Sequence, residues 1–303
     1  SFQLNDKGRI IADMTVHYGD LDTWLELDVV DIDPVIAALE SKLFAEDVTI
    51  EDARDDWLAI DLHGPAAGKL LEAVCDPDAE RVSTAGAAFE MAGTHHVLAI
   101  GGSRVTVSRR DDCAVPGMHL LVRMDDAAEV YRRLIDAVGG IDPEVEGGVK
   151  RDITGRGIGW MAYNTARIEA GTAVYHIDFG PDSLPHETGE PTLEQAVSFT
   201  KGCYLGQEVV ARMQSLGHPK RILRGLLLPD DSLPVAGSQV VATDDPQQII
   251  GAVTSSTLSP IKGNVAIALA VMKWGPHEVG TKVAVSAEGG FVNCEVTPPG
   301  FTD

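Results

Sequence analysis

The sequence predicts an α+β chain that ends in a small all-β barrel or sandwich, on three observations. Strand-like alternation and helix-like periodicity are mixed through the first two thirds. The strands there suggest hairpin-like pairs rather than regular strand–helix–strand repeats. After Arg224 only short β-rich runs remain, separated by turn signals. This change of pattern places a domain boundary near residue 222, dividing the chain into 1–222 and 223–303.

The elements follow in order. Residues 10–16 and 24–30 alternate as strands. Asp33-Pro34 reads as a helix opening, with Asp as N-cap and Pro at the first helical position, and Val35, Ile36, Leu39 and Leu43 form its apolar face. Residues 57–62 form a strand, followed by a Gly64-Pro65 turn and a short helix over 67–74. Residues 97–107 and 119–123 read as strands, and 126–138 as an amphipathic helix closed by Gly139-Gly140. The tail supplies six strand-like runs, at 225–228, 239–242, 249–255, 265–271, 282–285 and 292–296, the spacing of a small barrel or sandwich.

Forty-six acidic residues against 24 basic give a formal net charge of −22, which excludes non-specific nucleic-acid binding and describes a heavily solvated surface. No apolar run approaches the roughly 20 residues of a membrane helix. The four cysteines are far apart and lack a C-x-x-C, so no zinc ribbon, disulfide framework or self-contained metal site is signalled, and a reducing cytoplasmic setting is expected. One window departs from the acidic background: Lys201, Arg212, Lys220, Arg221 and Arg224 face a single acid, Glu208, across 201–224. It suggests an anionic ligand or partner; equally, these cations could balance acidic neighbours in the fold.

Three segments can carry chemistry. In KGCYLGQEVVAR, residues 201–212, glycines flank Cys203 and a helical run follows. A helix dipole and Lys201 would favour a thiolate, whereas the alternative is a small buried residue in a glycine turn. In ARIEAG, residues 166–171, Arg167 and Glu169 share a face on a strand and diverge on a helix, and a structural ion pair is the simpler reading. In NDKGRIIADM, residues 5–14, Asp13 points away from Ala12 and Met14, toward solvent or into a cleft.

Together these segments resemble the YgfZ family, folate-binding proteins of iron–sulfur protein maturation, which are related to the glycine-cleavage T-protein, a tetrahydrofolate-dependent aminomethyltransferase. The resemblance lies in KGCYLGQEVVAR, in RIEAG followed by DFGPDSLPHETG, in GRIIADM, and in GAVTSSTLSPIKGNVAIALA. It implies a ring of two α+β subdomains with a C-terminal β-barrel, and a segment ahead of residue 1 completing the first subdomain. It implies Cys203 and Asp13 as the chemically active residues. It further implies Lys201, Gly202, Tyr204, Gln207, Glu208, Arg167 and Glu169 around a reduced folate, with iron–sulfur proteins or assembly factors as partners. The alternatives are a folate-dependent aminomethyltransferase using Asp13 and an interaction module that kept only the fold. The chain departs from T-proteins at RRDDCAVPGMHL, where His119 replaces the carboxylate that binds the pterin, and an imidazole does not accept a pair of N–H donors as a carboxylate does.

Overall fold

The structure, a computed structural model, describes residues 1–19, 22–76, 95–138 and 153–302. It divides into two compact units, one of Ser1–Ile50 with Asn164–Asp303 and one of Glu51–Tyr163. The boundary near residue 222 marks a change of secondary structure; the compact units divide elsewhere.

The first unit opens with a three-stranded antiparallel sheet in order β1 (Phe2–Leu4), β2 (Ile10–Tyr18), β3 (Thr23–Leu27). β2 alternates as the sequence predicts at its start: Ile10, Ala12 and Met14 are buried and Asp13 faces the other side. Helix α1 (Ile32–Glu40) begins two residues earlier than expected, with Asp31 rather than Asp33 in the cap position. Pro34 therefore lies inside the first turn, where the missing N–H still costs nothing because no intrahelical acceptor awaits it.

The second unit sets helices α2 (Ala67–Val74) and α3 (Met124–Ala137) on one face of a sheet in order β4 (Trp57–His63), β7 (Gly117–Arg123), β6 (Ser103–Arg109), β5 (His95–Ile100). The run expected as one strand over 97–107 is two, folded at Gly101-Gly102, both at positive φ. Ala67, Leu70, Leu71 and Val74 of α2, and Ala127, Val130 and Leu134 of α3, recur at helical spacing and pack on Leu98, Ile100, Val105, Val107, Leu120 and Val122. Gly139-Gly140, read as the α3 stop, lies outside the described residues.

The chain returns to the first unit within α4 (Trp160–Ala170), at Asn164, and continues through α5 (Glu190–Ala196) and α6 (Gln207–Leu216). It closes in a six-stranded antiparallel barrel, β10–β11–β8–β13–β12–β9, built from β8 (Arg221–Leu227), β9 (Gln239–Ala242), β10 (Ile249–Ser259), β11 (Val265–Lys273), β12 (Lys282–Ala287) and β13 (Gly290–Thr297). On β11, Ala266, Ala268, Ala270 and Met272 fill the barrel, while Ile267 and Leu269 pack outside it with Ile168 of α4, Leu223 and Phe301. Burial on both faces explains why this strand reads as an unbroken apolar run.

Candidate functional site

The loop between α5 and α6 carries the motif. Its base is Gly206, left-handed at φ 79° and capping α6, where a β-carbon would stand 2.6 Å from the Asn5 carbonyl oxygen and 2.8 Å from Gly8 Cα. Gly8, itself at φ 70°, answers from the 5–9 turn, so the two glycines let loop and turn close on each other. Tyr204 packs against the cluster of Leu4, Ile10, Tyr175, Phe179 and Val210, and the Lys201 ammonium lies 5.0 Å from its ring centre. Gln207 opens α6, and Glu208 sits exposed in its first turn, where a carboxylate suits the helix dipole. Gly202 has open space around it and no positive φ, so it does not share the constraint at Gly206.

Cys203 is exposed between these anchors. The other three thiols differ: Cys113 and Cys294 are buried and Cys75 half-buried. Burial, then the carboxylates of Asp112 and Asp61, push the Cys113 thiol up to about 11, and burial pushes Cys294 to about 12. Neither offers much thiolate at neutral pH, and Cys203 is the exposed thiol of the four.

Asp13 lies in the same unit, on the strand that follows the loop's footing. Gly8 precedes it by five residues, at most about 17 Å of extended chain. The Asp13 side chain is 37% exposed and 3.8 Å from the Ser1 amino nitrogen. Beside it, Tyr175 donates to the Ile11 carbonyl at 2.8 Å, and burial followed by the charges of Asp31 and Asp13 raises its phenol. His176 Nε2 meets both oxygens of buried Asp31 at 2.9 and 3.0 Å. His176 holds φ 66°, a left-handed position seldom given to histidine. The sequence reading missed Asp31, Tyr175 and His176; only the short DFGPDS neighbourhood hinted at a special turn there.

Arg167 and Glu169 follow the helical alternative: both stand on α4 and diverge to separate partners rather than pairing with each other. Arg167 is fully buried: its guanidinium donates to Asp178, to Asn164 Oδ1 at 2.9 Å, to Ser255 Oγ at 2.6 Å and to the Thr172 carbonyl at 3.2 Å. Glu169 accepts from Ser259 Oγ at 2.6 Å and the Ile261 amide at 3.3 Å. These bonds tie α4 to the barrel strand β10 and its end. The cationic window follows in part the alternative that its charges balance acidic neighbours in the fold. Arg221 pairs with Glu187 at 3.0 Å, and buried Arg224 with Glu190 at 2.7 Å.

In the second unit, the helix-free face of the sheet carries a polar cluster. Asp61 on β4 stands directly opposite His119 on β7, and His119 Nδ1 donates to Asp61 Oδ1 at 2.6 Å. Burial alone would raise the Asp61 carboxyl, but the hydrogen bond and charge of His119, with Arg110 and His63, hold it below the usual range. His119 is buried and Asp61 is 41% exposed at its side chain. His63, two residues on, has both ring nitrogens buried without a hydrogen-bond partner, with the Tyr163 ring tilted against it at 5.6 Å. Among the described residues no group of three His, Cys, Asp or Glu could hold a metal ion, and no helix is long and apolar enough to cross a membrane.

A three-stranded sheet and an α/β layer followed by a closed six-stranded barrel are features of one class of fold, and the comparisons identify it. Residues 1–201 match the family described as "GCVT N-terminal domain", and residues 221–303 match "Glycine cleavage T-protein C-terminal barrel domain". The chain belongs to the glycine-cleavage T-protein family. It is 26% identical over 302 residues to an aminomethyltransferase of Cutibacterium acnes, covering 98% of this chain and 74% of that one. It is 30% identical over 241 residues to a probable aminomethyltransferase of Natronomonas pharaonis, covering 80% and 58%. Its fold matches the crystal structure of glycine cleavage system aminomethyltransferase T from Bartonella henselae with TM-score 0.73 at 19% identity, covering 99% and 74%.

Proposed function

We propose that the protein binds a reduced folate and serves iron–sulfur cluster assembly or repair through the Cys203 thiol, as in the YgfZ branch of this family. The observation that carries the reading is Cys203 itself: the one exposed thiol of four, displayed on a loop fixed at Gly206 and Tyr204. A residue kept only for packing would be buried like Cys113 and Cys294.

The donor set fits a folate. Asp13, a half-buried carboxylate on β2 of the first unit, can accept from an amine or N–H group. Tetrahydrofolate, when bound, supplies the amines that carry a one-carbon unit; Asp13 would hold or accept a proton beside them. Lys201, Gly202, Tyr204, Gln207 and Glu208 build the platform for Cys203, with Lys201 available to an anionic tail.

The test is a strain that depends on this protein. Cys203→Ser is expected to lower the activities of its iron–sulfur enzymes as far as deletion does, with the protein level unchanged; intact activities overturn the thiol reading. The second reading, an aminomethyltransferase, is favoured by the names of the relatives and the position of Asp13 on β2. It requires tetrahydrofolate-dependent transfer from an aminomethyl donor that Asp13→Asn abolishes.

A further inference from the structure

We propose that His218, Trp274 and His277 form an acid-released clasp, which fastens the C-terminal end of α6 to the barrel at neutral pH and lets go as the pH falls. The clasp lies within the first unit and depends on neither the folate nor the thiol reading above.

Two short connections build it. α6 ends against Gly217, and His218, Pro219 and Lys220 lead from there into β8. Trp274 follows directly on β11, at the start of the turn that leads to β12. The Trp274 amide donates to the Lys220 carbonyl at 2.9 Å, which sets the two connections side by side. Both imidazoles then stack on the indole. The His218 ring lies 4.6 Å from it between centres and 8° from parallel, and the His277 ring 4.1 Å and 27°. Stacked aromatic pairs contribute beyond the area they bury, so the rings reinforce the single backbone bond.

A proton acts differently on the two histidines. His218 is exposed, and its Nδ1 donates to the Pro219 carbonyl at 3.1 Å. Its Nε2 can therefore take a proton with that bond kept, and the cation suits both the indole face and the end of α6. His277 is buried, and its Nδ1 accepts from the Gly275 amide at 2.9 Å. A backbone N–H only donates, so this bond requires Nδ1 without a proton. Protonation removes the bond and sets two donors against each other. The surrounding charges favour the neutral ring as well. Arg224 of β8 donates to the His277 carbonyl at 3.1 Å. Burial first, then the Arg224 guanidinium, hold the His277 imidazole below its usual range, and His218 acts in the same direction. Glu278 beside it and Glu190 of α5, which pairs with Arg224 at 2.7 Å, oppose these effects without reversing them. A histidine kept neutral by the fold contributes its full stability above about 6.5, the value of the unfolded chain, and loses it as the pH falls from there. The charge change thus falls on the bond that holds the 274–277 turn in place.

The experiment follows amide hydrogen exchange over residues 272–278 of the full chain at about pH 7.5 and about pH 5.5, on either side of the ordinary histidine value. Each rate is divided by the intrinsic rate at its pH. In the wild type, protection of the Trp274 and Gly275 amides is expected to fall about tenfold or more between the two. His277→Asn sets an amide oxygen that does not titrate where Nδ1 accepts, and it is expected to hold its protection at both. His218→Ala, which removes one stacked ring, is expected to lower Trp274 protection severalfold already at the higher pH. Protection that ignores pH in the wild type, or is lost equally in His277→Asn, overturns the acid release. Protection untouched by His218→Ala overturns the clasp. A second measurement needs no variant: the ¹⁵N shift of the Gly275 amide is expected to move in step with the His277 ring as the pH is lowered, and an amide that does not follow the ring overturns the link between them.

Discussion

Arg167→Ala is expected to cost about 3–5 kcal/mol, because it leaves the Asp178 carboxylate buried without its cation. Both side chains are fully inaccessible, and Asp178 also accepts from Thr254 and Ser255 at 2.6 and 2.7 Å. Loss of the guanidinium therefore strips Asp178, Ser255 and Asn164 of a shared partner at once. Thermal melting reads the effect as a fall of about 10 °C for a protein of this size. Lys at the same position does not rescue it, since one ammonium cannot reproduce a fork that serves four acceptors. A melting temperature within 2 °C of the wild type would mean, at about 2–4 °C per kcal/mol, that the network contributes far less than its burial requires.

The second large effect is expected at Gly206→Ala. An alanine pays about 1–2 kcal/mol to hold the left-handed conformation. Its β-carbon would also enter backbone space, 2.6 Å from the Asn5 oxygen and 2.8 Å from Gly8 Cα, contacts that no side-chain rotation relieves. Together these give about 2–4 kcal/mol of destabilisation and a displaced Cys203 loop. Gly202→Ala is the internal control, because a β-carbon there meets nothing within 4 Å. It is expected to leave the melting temperature within about 1 °C. Urea unfolding of the two variants side by side checks both; similar midpoints would contradict the assigned contact between the loop and the 5–9 turn.

Much of the fold was legible because local periodicity decides it. The α2 helix was read to its ends, since Ala67, Leu70, Leu71 and Val74 mark one helical face between a turn and Cys75. The barrel strands were found from their spacing. Their lengths were not, because β10 and β11 extend wherever pairing continues, beyond the apolar residues that signal them. The 97–107 run reads as one strand because Gly101-Gly102 is too short an interruption to announce a hairpin without its partner in view. The site divides in the same way. Cys203, Gly206 and Asp13 could be singled out because each stands beside its own sequence signal. Asp61 and His119 are separated by 58 residues and meet only through strand register. Arg167 finds Ser255 across 88 residues, so its burial in a network could not be told from a ligand role.

The central claim, a reduced-folate site in a T-protein fold whose thiol acts separately, is tested most directly by melting wild type and Cys203→Ser with and without tetrahydrofolate. At about 100 times its Kd the ligand adds about 2.7 kcal/mol, which raises melting by about 5–10 °C. The same rise is expected in both proteins, because Cys203 is exposed and outside the packed clusters. No tetrahydrofolate-dependent rise in the wild type would contradict the folate site, and a rise lost in Cys203→Ser would contradict the separation of the two.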